Sequence, residues 1–335
     1  MSDSAMLDRS DEPQCGIVVI GRNEGERLRR CLSSCRGAAA LVYVDSNSTD
    51  GSVDVARGLG ADVLGLDLSK GFTAARARNE GFMRLMALAP SLEFAMFVDG
   101  DCELFPGWMD EALEFMRDRP DIVAVCGRRR ERHPQASVFN QLCDIEWNTP
   151  PGEAKAFGGD VVLRTGALRA AGGYRDDLIA GEEPELCVRL RAAGGRIWRL
   201  DRDMTWHDAA IMAWGQWWRR NKRSGYAFAE GASLHGDPPE RHFVAETRRA
   251  LLWGAALPLT ILILAVAASP WLLLLFAVYP LQWLRIGFRF ARADTPIPWA
   301  HAALLLLGRL PEAHGALKFW LGHLRGQRSA IIEYK

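Results

Sequence analysis

The sequence predicts an α/β fold, a mostly parallel sheet flanked by helices, followed by a C-terminal apolar helical region that associates with a membrane. Three observations carry this expectation. Nearly continuous apolar runs of strand length alternate with helical patterns through the first two-thirds of the chain; these runs end in turns rich in Asp, Ser, Asn and Gly; and beyond about residue 250 long apolar stretches appear with few charges. Strands that are apolar on both faces belong to a parallel sheet covered on both sides, and such sheets bind ligands at the carboxyl ends of their strands.

The elements follow in order. Cys15–Ile20, Ala40–Val44, Ala61–Leu64 and Phe94–Val98 read as strands, with helices over Glu26–Arg36, Ser52–Gly58 and Ala74–Ala89 between them. A helix starting near Pro184 carries Leu186 and Leu190 four residues apart on its core face and ends at Gly194 and Gly195; the short strand Ile197–Leu200 follows. Pro184 suits the first helical position, which makes Glu183 the N-cap.

Lys plus Arg number 41 and Asp plus Glu number 41, so the net charge is zero and the basic footprint of a nucleic-acid partner is missing. Seven cysteines without a CxxC pair fit reduced thiols in a cytosolic compartment, and Cys31 and Cys35 read as packing residues on one helix. The polar residues 1–14 lack an apolar h-region, so they are expected to be a disordered lead-in rather than a signal peptide.

The tail begins at about residue 246. Leu251–Ala268 and Trp271–Phe288 are each close to the roughly 20 apolar residues that a spanning helix needs, with Ser269 and Pro270 turning between them. Arg248 and Arg249 precede the pair; Arg285, Arg289 and Arg292 follow it, which places both ends on the cytoplasmic side of an inner membrane. Helices lying in the interface, or a buried hairpin, satisfy the same composition. The segment Pro298–Gly308 is too short to span and reads as interfacial or re-entrant.

Strand ends supply the candidate chemistry. The stretch VDSNSTDGS leaves the second strand through Asp45, whose carboxylate can accept a ligand N–H or cap the next helix. After the first strand, Gly21 permits close backbone approach, and Lys70, Arg76 and Arg78 surround a helix start where phosphate can bind. In VDGD, Asp99 and Asp101 stand on one short turn; two like charges at that spacing repel unless a cation separates them, and paired hard oxygens suit magnesium or manganese with phosphate. In GEEPELC, the helix dipole is expected to keep Glu183 ionised as a proton acceptor, although a cap alone would look the same. His207 in TWHD offers an imidazole ligand or a structural histidine.

Taken in this order, VDSNSTDGS, VDGD and GEEPELCVRLRAAGGRI resemble the motifs of family 2 glycosyltransferases of the GT-A fold, over roughly residues 15–230. The resemblance implies a GT-A nucleotide-sugar-binding catalytic domain over 15–245 and a membrane-associating region over 246–335. It further implies a nucleotide-sugar donor, UDP-linked, and a divalent metal, Mn or Mg. Asp45 would bond the base. Asp99 and Asp101 would reach ribose, diphosphate and metal, with His207 as a further ligand. Glu183, alone or with Glu182, would deprotonate a hydroxyl of a saccharide or lipid-linked acceptor in one inverting displacement. Gly158, Gly159 and Asp160 in FGGDVVLR resemble the acceptor-cavity stretch.

The departures from the family are specific. Glu183 stands where Asp is usual, and Ile20, Gly21 and Arg22 replace the usual Pro and aromatic of the first strand, so Arg22 is expected near the diphosphate. The stretch WGQWWRRNKR partly resembles the QxxRW element of polysaccharide synthases, with Arg220 in place of Trp; Trp218, Arg220 and Arg223 are then donor- or acceptor-side candidates. A short tail without a multi-helix channel favours transfer of a single sugar over polymer translocation. A membrane-tethered binding protein without catalysis is the competing reading, and a nucleotide-cofactor oxidoreductase is disfavoured because no GxGxxG follows the first strand.

Overall fold

Apolar runs flanked by turn formers become the strands of one sheet in the computed structural model, which describes residues 15–67, 69 and 71–326; the lead-in expected over 1–14 lies outside them. The first half alternates β1 (Cys15–Gly21), α1 (Glu26–Ser34), β2 (Ala40–Asp45), α2 (Ser52–Gly58), β3 (Asp62–Gly65), α3 (Ala74–Leu88) and β4 (Phe94–Asp99). These four strands are parallel, in the order β3-β2-β1-β4. The chain therefore winds outward from β1 on one side and returns to its other side at β4. That reversal is the switch point at which open α/β sheets bind ligands. In register, Ile20 pairs with Asp99 and Gly21 with Asp45, so the carboxyl ends of β1, β2 and β4 form one edge.

The second half adds β5 (Cys102–Leu104), α4 (Trp108–Arg117), β6 (Ile122–Glu131), α5 (Val138–Glu146), β7 (Gly152–Ala154), β8 (Val161–Arg164), α6 (Thr165–Ala170), α7 (Glu182–Ala192) and β9 (Arg196–His207). β8 runs antiparallel to both β4 and β6, while β6 and β9 are parallel and β5 and β7 pair antiparallel with β9. Among the described residues the sheet is mixed, with its parallel majority as expected. Two local expectations are corrected. The short strand Ile197–Leu200 extends to His207, so Thr205, Trp206 and His207 lie within a strand and not after one. Helix α7 begins at Glu182 with Gly181 as N-cap in a left-handed conformation, φ 81°, so Glu183 sits inside the first turn.

The core fills the space between sheet and helices: Ile17, Val18, Val42, Phe94, Met96 and Val161 are fully buried. Gly81 on α3 leaves no room for a Cβ against Val18 and Val44, which lets the helix lie directly on the sheet. All seven cysteines are buried and free.

Beyond β9 the chain is helical: α8 (Trp214–His235), α9 (Val244–Leu251), a π turn at Leu252–Ala256, α10 (Leu257–Ala267), a 3₁₀ segment at Pro270–Ala277, α11 (Val278–Arg292), α12 (Pro298–Leu307) and α13 (Arg309–Leu324). Val244–Ala267 and Pro270–Arg292 are 24 and 23 residues, long and apolar enough to cross a membrane. Only 17% and 6% of their most apolar windows is buried within the protein, so they are not core helices. Gly225 and Gly315 let α8 and α13 touch backbone to backbone, at Glu312 and Lys222 respectively, so the tail folds back onto the helix that leaves the sheet.

Candidate active site

Arg78 is the centre of the site. It sits one turn before Gly81 on α3, so the close approach of that helix to the sheet carries its guanidinium to the end of β4. There it meets Asp99 at 2.8 Å, Glu182 at 2.9 Å and Glu183 at 3.1 Å, with only 2% of its side chain exposed. Its ring neighbour is Tyr174, 5.6 Å from the guanidinium carbon. Burial opposes the charge on Arg78, yet Glu183, Asp99 and Glu182 together raise its pKa well above the ordinary value.

Asp99 and Asp101 pair with different side chains. Asp99 turns to Arg78 and, at 3.3 Å, to Arg129; Asp101 turns to His207, whose Nε2 lies 3.4 Å from its Oδ2. Burial works against ionisation of Asp99, but Arg78 and then Arg129 outweigh it and hold the carboxyl below the usual carboxylate range. Part of the repulsion that the spacing implies is therefore relieved by arginines. Gly100 keeps the turn tight by donating its N–H to the Ile20 carbonyl at 2.8 Å.

Arg129 was not among the residues singled out from the sequence. It bridges Asp99 and Asp160, the latter at 2.9 Å, beneath the ring of Trp147. A signal for it existed: in the strand run GRRRE, alternation turns the middle arginine to the opposite face from its neighbours. Asp160 is fully buried and accepts from the Asp99 N–H at 3.1 Å and the Thr205 hydroxyl at 2.7 Å, so it braces the acidic turn from behind. Gly159 lies over the same network; a Cβ there would overlap the Asp99 carboxylate and crowd Arg129 and Arg78. Gly158 precedes it with open space at its Cβ position.

The expectation that the helix dipole keeps Glu183 ionised is corrected. Its carboxyl is pushed up to about 7, first by burial and then by the neighbouring Glu182, with Arg78 pulling the other way. A carboxyl poised near 7 exchanges protons readily at neutral pH.

The residues present fit a divalent cation. Asp99, Asp101, Asp160, Glu182 and Glu183 are five carboxylates against the two guanidiniums of Arg78 and Arg129. Donor atoms of Asp101, Cys102 and His207 lie within 4.8 Å of one another, and the buried His207 Nδ1 has no hydrogen-bond partner among the described residues. Oxygen donors with one imidazole suit magnesium or manganese. Burial raises the Cys102 thiol well above its ordinary value, so within this group Asp101 and His207 are the side chains that could hold a hard cation.

Asp45 stands at the same sheet edge, 5% exposed, accepting from the Tyr43 hydroxyl at 3.0 Å and the Ser48 N–H at 2.9 Å. Ile20 is buried at the end of β1, and Arg22 is exposed just beyond it, over the ring of Phe72 at 5.7 Å. Lys70 lies outside the described residues. On α8, Trp218 is 40% exposed, Arg223 is half-buried and Arg220 pairs with Glu146 at 2.8 Å. Gln216 caps that helix, accepting from the Met212 and Ala213 N–H groups.

Residues 16–176 match the family described as Glycosyl transferase family 2. Among curated proteins, the pre-mycofactocin glycosyltransferase of Mycobacterium tuberculosis is 26% identical over 191 residues, covering 54% of this chain and 40% of that protein. The succinoglycan biosynthesis protein ExoA of Rhizobium meliloti is 28% identical over 204 residues, covering 56% and 60%. The chain thus spans about half the length of these relatives. Among solved structures, a mannosyltransferase of Pyrobaculum calidifontis, in complex with GDP-Man and Mn2+, superposes with a TM-score of 0.64 at 19% identity, covering 93% of this chain and 88% of that one. Residues 1–349 of TarS from S. aureus superpose at 0.52 with 16% identity, covering 96% and 95%. Residues 16–176 are thus similar to the glycosyl transferase family 2, and the chain has the GT-A fold.

Proposed function

We propose that the chain is a glycosyltransferase that moves a single sugar from a nucleotide-sugar donor, UDP-linked, to an acceptor hydroxyl with inversion at the anomeric carbon. The observation that carries this reading is the juxtaposition, through Arg78, of the DxD carboxylate Asp99 with the half-titrated Glu183. A metal-and-diphosphate site and a proton acceptor then meet at one guanidinium nitrogen.

The chain's own residues divide the work. Asp45, held by Tyr43 and Ser48, accepts the N–H of the base. Asp99 and Asp101 hold the ribose and diphosphate side, with Asp101 and His207 oriented towards a common point. Asp101 and His207 would hold a divalent cation there, which would supply positive charge towards the leaving nucleotide. Glu183 takes the proton of the acceptor hydroxyl as its oxygen bonds to the anomeric carbon; the bond to the nucleotide diphosphate breaks on the opposite face, and its electron pair leaves with the nucleotide. Arg78 keeps the base and the acidic turn in fixed relation throughout.

The setting we infer is the cytoplasmic face of an inner membrane, in cell-envelope or polysaccharide synthesis, with a saccharide or lipid-linked acceptor. The two exposed apolar helices and the arginines at their ends support it, as does the similarity to a succinoglycan biosynthesis protein. The fold shared with a mannosyltransferase that holds GDP-Man and Mn2+ supports a nucleotide sugar with a divalent metal. The test is a panel of nucleotide sugars presented to detergent-solubilised protein with and without Mn2+ or Mg2+, scoring binding and slow donor hydrolysis. Metal-dependent binding of one donor, with turnover lost and binding kept in Glu183→Gln, is the expected result. Folded protein that binds no nucleotide sugar would overturn the reading.

A further inference from the structure

β9 does not follow β6 evenly. Cys126 pairs with Arg199, but Arg128, only two residues on, pairs with Asp203, so Leu200, Asp201 and Arg202 bulge out of the ladder. Gly127 sits opposite the bulge. A Cβ there would press on the Arg202 carbonyl, the Trp108 ring and the Met204 side chain, at 2.7, 2.7 and 2.9 Å, so the backbone is glycine because the bulge leans on it. Bulges of this kind re-aim side chains.

The side chains re-aimed here line a cavity of about 410 Å³: Arg199, Asp201, Arg202 and Asp203 from β9, Arg128 from β6, Asn148 and Pro151 beyond α5, and Phe105 and Pro106 beyond β5. Arg128 and Arg130 both meet Asp144, whereas Arg129 between them enters the acidic site; the cavity is therefore on the other face of β6 from the catalytic cluster.

Its charges are unevenly satisfied. Arg128 has Asp144 at 3.4 Å, Arg202 has Glu111 at 3.2 Å and Asp203 has Arg130 at 3.2 Å. Arg199 is 4% exposed, and its side chain makes no hydrogen bond or ion pair among the described residues. Burial presses its pKa down, with the like charge of Arg128 adding to it and Cys126, Asp201 and Asp203 acting the other way. The Arg199 guanidinium has no counter-charge in direct contact among the described residues, and its planar fork matches the oxygens of a phosphate.

We propose that this cavity binds a phosphate monoester whose organic part carries hydroxyls, such as a sugar phosphate, with the phosphate on Arg199 and Arg202 and the hydroxyls on Asp201 and Asn148. The volume is several times that of a bare phosphate, the acids accept hydroxyl protons, and Phe105, Pro106 and Pro151 supply an apolar wall. The site is separate from the donor site, and its test does not depend on transferase activity.

The experiment is calorimetric titration of glucose 1-phosphate, inorganic phosphate and glucose into the full-length, detergent-solubilised protein, its Arg199→Gln and Arg202→Ala variants, and Asp101→Asn as the catalytic-site control. Glucose 1-phosphate is expected to bind wild type and Asp101→Asn alike, and to bind Arg199→Gln about ten-fold or more weakly, the loss of one charge-assisted fork. Inorganic phosphate should bind more weakly than the ester, and glucose not at all. Should Arg199→Gln fail to fold, Arg202→Ala, at a half-exposed position, carries the same test with about a three-fold weakening. Unchanged affinity in the arginine variant that folds, loss of binding in Asp101→Asn instead, or no binding of the ester to folded wild type would each overturn the proposal. Equal affinity for phosphate and ester would overturn its hydroxyl half.

Discussion

Arg78 and Glu183 are in contact at 3.1 Å, on helices separated by half the catalytic domain, and the same guanidinium nitrogen holds Asp99 at 2.8 Å. Glu183 and the acidic turn are thus tied through one group. Moving either changes the electrostatics of the other.

Glu183→Gln is expected to lower turnover by about 10²- to 10⁴-fold, the usual contribution of a positioned general base, with donor affinity retained. Glu182→Gln should cost less, because Glu182 points at Arg78 from a fully covered position. Steady-state transfer rates beside donor titrations separate the two; equal rates in wild type and Glu183→Gln would remove Glu183 from the role.

The base works only when ionised, so kcat/KM is expected to rise with pH through about 7. Arg78 lowers the Glu183 pKa, so Arg78→Met should move that limb to higher pH. Stability runs the other way. The folded carboxyl binds its proton more tightly than the unfolded one, so its contribution is whole below about 4.5 and is lost as pH rises through about 7. Glu183→Gln should therefore gain Tm relative to wild type across that window, and parallel Tm profiles would contradict the assignment.

Gly159→Ala places a methyl group against the Asp99 carboxylate, with Arg129 and Arg78 both 3.0 Å from the new carbon. The expected outcome is about 1–3 kcal/mol of lost stability together with weakened Mn2+ binding, since the turn must shift to make room. Gly158→Ala, where the space is open, should leave both unchanged. Denaturant melts and metal titrations on the pair provide the comparison.

Arg129→Met strips Asp160, fully buried, of its counter-charge. A cost of about 3 kcal/mol is expected, at the low end for a broken buried pair because Asp160 keeps the Asp99 N–H and the Thr205 hydroxyl. Adding Asp160→Asn to that variant should recover part of the loss, because the amide carries no charge. A double variant no more stable than Arg129→Met would argue that the guanidinium serves packing under Trp147 instead.

Gly225→Val and Gly315→Val each force α8 and α13 apart where their backbones touch. If the tail is held to the catalytic half by this crossing, limited proteolysis should release it in either variant and not in wild type. Resistance of both variants would place the attachment elsewhere.

By itself the sequence determined the alternating elements and the acidic residues at the strand ends, because strand and helix periodicity and turn chemistry are local properties of the chain; the strand order that puts the switch point at β1 came from the tertiary structure. It also marked Leu251–Ala268 and Trp271–Phe288 as long apolar stretches, which overlap the helical spans Val244–Ala267 and Pro270–Arg292 of the structure. Only the tertiary structure decided what those acids do to one another. That Asp99 is relieved by Arg78 and Arg129, that Glu183 is raised to about 7, and that Asp160 braces from behind all depend on groups brought together from distant segments. Where Glu183 falls within its helix turned on Gly181 adopting φ 81°, and the pocket around Arg199 on a two-residue slip between β6 and β9. Burial and long-range charge set those outcomes, and neither can be read from neighbours along the chain.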